Sequence, residues 1–429
     1  MYYEIFQEVV SITHHDYSGC LDKKGWDNPE QYLKEIRILE EKKELTPTKF
    51  VEIVQDYLLD YKDHHMYFKL SSNSDEKRYD IGFKVRRFDS SLFITEVGKE
   101  TRVKKGQAIV SLDNIPILDL VNKHKRTLLE NTAERERWSP ILEQYNFCEL
   151  VDENGHKSIL ELKKFEKDPY IPKYTIEKLE EKILLMTLTD FSNPDAIVQL
   201  LNEYKEELDS CIQLIIDVRV NYGGSDSSYF SLLPYIFEDR LVNLNLEDGE
   251  HMLINCTERT YELETKYFKD ALSEIEDEET RKIYSIFMRE WEKNRGKGFV
   301  QFDFSDIEEN TVIQGRTNPK DIIVLTDTTC GSSGDSFVEI CKRSSKVTVI
   351  GRPTAGLNDY ANLAIMKWND LFELWYPTSR LSRIDKGEGM TGVGIKPNIY
   401  IPWTPKHIFE DIDLQEGIKL LDQKNRSYI

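Results

Sequence analysis

Between residues 28 and 65, apolar side chains recur at three- and four-residue steps. They stand at Tyr32, Ile36, Ile38 and Leu39, and again at Phe50, Ile53, Val54, Tyr57 and Leu58. That spacing puts one apolar stripe on each of two helices, and Thr46-Pro47-Thr48 supplies the break between them. Residues 1–78 therefore read as an N-terminal helical region. From about 80 the period shortens to that of strands. LFITEV leads into GKETRVKKGQAIVSLDNIPILDL, where Gly106 precedes an apolar strand and Asp113-Asn114 supplies a turn. After a helical stretch, a last strand pair around ENGHKSILELKKF turns at Asn154-Gly155. These features define a small β-rich domain over 79–168.

From 169 to the end, strands and helices alternate. KILLMTLTDF reads as a strand, DAIVQLLNEYKEEL as a helix, CIQLIIDVRV as a strand and DSSYFSLLPYIF as a helix. This order predicts an α/β domain built on a parallel sheet with crossover helices. A polar, acidic, helix-rich insertion interrupts it at about 240–315. The sheet resumes with DIIVLTD and KVTVIG. LAIMKWNDLFELWYPTS then predicts a hairpin turning at Asn369-Asp370.

Composition narrows the function classes. The 429 residues exceed what one core usually organises, and 39% hydrophobic with 31% charged residues is an ordinary globular balance. A formal net charge of −20 argues against nucleic acid and anionic membranes, which reward clustered Lys and Arg. No apolar run reaches the ~18–20 residues of a membrane span. Glu4 and Glu8 stand where an export signal would be apolar, so the expectation is a cytoplasmic protein, or a secreted or periplasmic one if a leader was removed. The six cysteines form no CxxC pair, which predicts buried reduced thiols and neither a metal site nor a cofactor.

Two strand-to-helix turns carry the candidate chemistry. In LIIDVRVNYGGSD a buried strand stops at Gly223-Gly224, where no side chain obstructs the backbone N–H groups. In IIVLTDTTCGSSGDSFVEI a strand runs into Ser332 at the mouth of a helix beginning near Gly334. A serine there sits at the positive end of the helix dipole. Taken singly, each has a plain structural explanation: Asn-Tyr-Gly-Gly is a turn, and Ser332-x-x-Asp335 is a capping pair. Together, at the carboxyl ends of parallel strands, they mark a ligand site.

These segments resemble the C-terminal-processing (tail-specific) serine peptidase family, S41. LIIDVRVNYGG is similar to the family's lIlDLRgNgGG, and TTCGSSGDSFVEI to its nucleophile segment. VTVIGRPTAG resembles the strand and Thr-x-Gly loop that follow, and GVGIKPNIYI the late GvGvkPDi, with Asn398 for Asp. The 79–168 region is similar to a PDZ domain through kKGQaIvSLDNIPI. The resemblance implies a crotonase-like catalytic fold with Ser332 as nucleophile and an oxyanion hole from the backbone of Ser333 and of Gly223 or Gly224. Asp335 is then the acid of the nucleophile segment, and a peptide or unfolded protein is the substrate. Homo-oligomeric assembly is compatible with it.

The general base departs from the best-known members. Their lysine after the Thr-x-Gly loop falls on Leu357, which accepts no proton. The tricorn-like branch uses a histidine ahead of the PDZ domain instead, and LLDYKDHHMYF matches it with His65 in place and His64 before it. That branch's late glutamate aligns with Thr391, leaving Glu388 nearby as a displaced support. Asp217 and Arg219 are expected to fix the Gly turn, and Cys330 to be a buried spectator. A different class remains open at this stage. The missing lysine also fits a degenerate fold that binds a peptide or apolar ligand, with Trp368, Phe372, Trp375 and Tyr376 lining a groove.

Overall fold

The computed structural model describes residues 1–71, 79–128, 132–180, 183–245, 249–273, 278–306 and 312–426. Part of the acidic insertion, 274–277, lies outside the described residues. The chain forms two compact units, each drawn from three separate stretches: Met1–Glu76, Leu241–Ile313 and Leu357–Thr391 in the first, Lys77–Arg240, Gln314–Gly356 and Gly392–Ile429 in the second.

The first unit packs helices on a mostly antiparallel sheet. Its helices are Tyr2–His15, Pro29–Glu41 and Pro47–Leu58. Thr46 starts the last of these by accepting the Lys49 N–H at 3.2 Å, with Pro47 at the first helical position. Most of the predicted stripe positions face inward, Ile38 (41% exposed) being the exception: Ile36, Phe50, Val54 and Tyr57 are fully buried, with Phe6 and Val9, in one core with Phe68, Phe372 and Leu374. The hairpin Tyr360–Trp368 and Phe372–Leu381 turns at Asn369 and Asp370, both with positive φ (49° and 52°), as the sequence predicted.

Two expectations need correction. The N-terminal region is not helical throughout, because Tyr67–Leu70 is a strand pairing antiparallel with the hairpin, Phe68 opposite Leu374. Helical periodicity ends at Leu58, and the strand's partner lies some 300 residues away, so no local pattern announces it. The insertion does hold helices, Glu258–Leu272 and Glu278–Asn294, over a small core of Cys256, Phe268, Trp291 and Phe302. It also contributes strands Met252–Cys256 and Gly298–Val300 to the same sheet. In the second unit, the helix expected at 226–237 is a 3₁₀ segment, Asp226–Leu232, followed by one short turn, Leu233–Ile236.

The second unit is a mixed α/β body around a six-stranded sheet. The strand order is Tyr174–Glu180, Ile183–Leu188, Gln213–Asp217, Asp321–Thr326, Val347–Gly351 and Ile399–Tyr400. The first pair is antiparallel and the rest parallel. Asp321–Thr326 is buried at every position, as a central strand covered on both faces must be. A second sheet runs Phe83–Phe88, Ser91–Val97, Ala108–Leu112, Phe147–Val151 and Lys157–Glu161 over its own core, including Leu92, Ile109, Leu112 and Trp138.

Charge ties these two sheets together. Arg86, from the second sheet, grips Asp327 through two 2.7 Å bonds just past the end of the central strand. Arg352 reaches the same carboxylate at 2.9 Å and holds buried Asp413 at 2.7 and 2.6 Å. Burial alone would raise the Asp413 pKa, but the His407 ring, 3.5 Å away, and the hydrogen bonds from Arg352 outweigh it and bring it to about 2. A carboxyl depressed in the folded state adds stability above the unfolded pKa near 4, and loses it as pH falls toward 2. Asp413→Asn is therefore expected to cost about 1.5–3 kcal/mol at neutral pH, since it removes one of the two carboxylates that Arg352 binds. Urea unfolding from pH 7 downward should show the gap narrowing below pH 4; a pH-independent gap would refute the ion-pair account.

Candidate active site

The central strand Asp321–Thr326 continues into Thr329–Cys330, which pairs parallel with Val220–Asn221, Val220 opposite Thr329 and Asn221 opposite Cys330. This short ribbon carries the two turns out of the sheet side by side. The Gly331 N–H donates to Asn221 O at 3.0 Å, and the helix Ser333–Cys341 begins immediately afterwards.

Ser332 has φ 59° and ψ −124°, a backbone conformation L-residues avoid at a cost of about 1–3 kcal/mol. A strained turn between strand and helix lifts a serine hydroxyl clear of the backbone that carries it. Asp335 holds the strain in place. Fully buried, it accepts the Ser332 N–H on one oxygen and the Gly356 N–H on the other, each at 2.8 Å. The expected capping pair is present, with its acid also fastening the Thr-Ala-Gly loop. That loop is held in turn from the GVGIKP segment, where Ile395 N donates to Thr354 Oγ1 at 2.8 Å. Asn398, standing for the family's Asp, still accepts the Val349 N–H at 2.8 Å through its amide oxygen.

The glycine turn lies against the serine. A Cβ at Gly223, whose φ is +74°, would sit 2.6 Å from Ser332 Cβ, so only glycine permits the approach. The Gly223 N–H donates to Asn221 Oδ1 at 3.0 Å and is thereby committed. At Gly224 (φ +143°) the backbone runs tight against Phe191, and Ser333 Oγ donates to the Gly224 carbonyl at 2.9 Å. Ser332, Ser333, Gly223, Gly224 and Asp335 thus come together in one compact unit. Of Asp217 and Arg219, expected to fix the Gly turn, the arginine binds the aspartate at 3.0 and 2.7 Å, and Asp411 at 2.6 Å. Cys330 is fully buried, and burial pushes its thiol pKa well up, which disfavours a thiolate nucleophile.

His64, His65 and Glu388 belong to the other unit. His65 is buried, with Nδ1 2.7 Å from Tyr360 O. A carbonyl only accepts, so Nδ1 carries a proton, and in the neutral ring the lone pair falls on Nε2, the tautomer a base requires. Its backbone N–H donates to Asp63 Oδ1 at 2.9 Å, Tyr17 OH donates to Asp63 Oδ2 at 2.5 Å, and buried Lys23 donates to Tyr17 OH at 2.7 Å. His64 is half-buried beside it, and Glu388 is exposed after the 3₁₀ turn Ser382–Lys386. Thr391, at the glutamate's aligned position, donates N–H and Oγ1 bonds to buried Asp359 at 2.7 and 2.6 Å.

Several supporting residues escaped the sequence reading. Asn221 fixes the glycine turn from both sides, also donating to Leu188 O at 3.0 Å. Its signal was a polar side chain entering a glycine turn from a buried strand. Asp63 was legible as an acid two residues before a candidate base, a spacing that favours a side-chain turn. Lys23, Tyr17 and Tyr360 gave no local signal.

Comparison with known proteins bears on the family and the fold. The sequence model of Peptidase family S41 matches residues 182–401, just over half of the chain. Among solved structures, mature CPAF complexed with lactacystin aligns with TM-score 0.65 at 12% identity, covering 98% of this chain and 97% of that one. Mature CPAF alone aligns with TM-score 0.65 at 11% identity, over 98% and 96%. The photosystem II D1 C-terminal processing protease gives TM-score 0.43 at 12% identity, over 94% of each chain. No curated protein sequence matches.

The strain at residue 332 is measurable. Glycine adopts φ 59° freely, so Ser332→Gly is expected to be more stable than Ser332→Ala by about 1–3 kcal/mol. Ordinarily alanine would be the better of the two. Urea unfolding of both variants decides it, and alanine matching or exceeding glycine would show that the turn stores no strain.

Proposed function

The chain belongs to peptidase family S41 and is a serine-type peptidase, and from that premise we propose that Ser332 is its nucleophile. The observation that carries the assignment is the Ser332 backbone: a strained, clamped serine at a helix N-terminus, pressed against a glycine turn. Ser332 Oγ attacks the peptide carbonyl carbon, a base takes its proton and returns it to the departing amine, and an acyl-enzyme forms as the C–N bond breaks. Water then attacks the acyl carbon and releases Ser332. The Ser333 and Gly224 N–H groups hold the oxyanion, since that of Gly223 is bonded to Asn221. Removing one such donor typically costs about 2.7–4 kcal/mol of transition-state stabilisation.

His65 is the proposed general base, supported by the tautomer that Tyr360 imposes and by the absence of lysine at Leu357. His64 ranks behind it, and Glu388, exposed, is a weak support. The catalytic body is read as crotonase-like and the Phe83–Glu161 sheet as PDZ-like, a unit that binds peptide tails by strand addition. The proposed substrates are accordingly protein or peptide C-terminal regions. Six buried, unpaired cysteines fit a reducing, cytoplasmic compartment.

A fluorophosphonate probe is expected to label the wild-type chain at Ser332 and to leave folded Ser332→Ala unlabelled. A well-folded wild-type chain that resists labelling would sink the nucleophile. His65→Ala should lower kcat/KM by about 10²–10⁴-fold, as loss of a general base does. Activity within a few-fold of wild type would remove His65 from the mechanism.

A further inference from the structure

The ribbon that delivers the glycine turn has two faces. Asn221 points inward and is fully buried, so Val220 and Tyr222, one residue to either side, point outward. They are 41% and 54% exposed. Tyr170, 51% exposed, lies against Tyr222, and Ile171, next to it in sequence, is 82% exposed. The Tyr170 and Tyr222 rings meet edge to face with centroids 5.1 Å apart.

This pair is held, not loose. Tyr170 OH donates to Thr189 Oγ1 at 2.8 Å and lies 3.0 Å from Thr189 O, which also accepts the Tyr222 N–H at 3.0 Å. The residue after Tyr222 is Gly223, in contact distance of Ser332. Gly331, on the partner strand beyond Cys330, has no side chain to cover the Tyr222 ring. Lys84 is paired with Glu96 at 2.8 Å, and Lys173 with Glu177 at 3.5 Å. The face therefore offers ring surfaces and aliphatic groups rather than an open cation.

We propose that Tyr170 and Tyr222, with Val220 and Ile171, form a subsite for a large apolar or aromatic side chain of the peptide substrate, beside the bond that Ser332 cleaves. The inference rests on Ser332 being the nucleophile and adds what that nucleophile selects. The occupant is one side chain rather than a second copy of the protein. Four side chains are far fewer than the roughly 20–30 residues a side of a stable protein interface. The patch also continues directly into the catalytic turn. Two aromatic rings with fixed backbones bind an apolar group at little ordering cost.

The test uses the full chain and quenched fluorescent peptides differing only in Phe or Ala at each position flanking the cleaved bond, with cleavage sites mapped by mass spectrometry. At one position the wild-type chain should prefer Phe in kcat/KM. Tyr222→Ala and Tyr170→Ala are each expected to reduce that Phe-to-Ala ratio about tenfold or more, and Tyr222→Phe to keep it. An unchanged ratio, or an equal loss on both peptides, would overturn the subsite. So would a wild-type oligomer that either alanine variant converts to monomer, because the face would then be a subunit contact. Absent fluorophosphonate labelling of Ser332 in the wild-type chain overturns the nucleophile and the subsite together; labelling with an unaltered ratio overturns the subsite alone.

Discussion

One carboxylate governs the geometry of the site. Asp335 is fully buried and spends one oxygen on the Ser332 N–H and the other on the Gly356 N–H. A serine at φ 59° relaxes unless its surroundings fix it more strongly than the strain repels it. Charge-assisted bonds inside a low-dielectric core supply that fixation. The same bonds set the Thr-Ala-Gly loop, which is anchored to the GVGIKP segment through Thr354 and Ile395. Three stretches separated in sequence, around 332, 356 and 395, thus share one point of attachment.

Electrostatics works at a second scale in the same unit. Arg86, Asp327, Arg352 and Asp413 alternate in sign along a largely buried chain of contacts. Asp327 ends the central strand five residues before the nucleophile. Burial opposes its ionisation, yet the flanking guanidiniums hold its carboxyl far below the usual range. Such a chain is costly to desolvate and costly to break singly. It fixes the exit of the strand and hence where the serine turn begins. The surplus of acidic groups in the chain as a whole says nothing of this arrangement.

Much of the second unit was legible because its signals are local. The buried strands at 183–188, 213–217 and 321–326 announce themselves as apolar runs; in the first unit, Asn369-Asp370 likewise marks a hairpin by turn chemistry alone. The Gly223-Gly224 and Ser332 turns were visible as breaks in such runs. What escaped depends on partners distant in sequence. Tyr67–Leu70 is a strand only because Phe372–Trp375 is there to pair with it. The commitment of the Gly223 N–H to Asn221 is a detail of side-chain direction that no pattern of residue types records. Lys23 looks like any surface lysine until the fold buries it against Tyr17, where desolvation lowers its pKa despite Asp63.

The composition of the first unit has a temporal side. The ring of His65 takes its orientation from Tyr360, 295 residues further on, and the strand after it pairs with a segment near 375. On a ribosome adding about 5–20 residues per second, those partners emerge tens of seconds after the histidine does. The three N-terminal helices must wait that long with the apolar faces that will meet Phe372 and Leu374 uncovered. By the same clock, Ser332 and its clamp are synthesised before the histidine's tautomer is set. Completion of the polypeptide is thereby a precondition for the imidazole to adopt its fixed state, a delay written into the order of the segments.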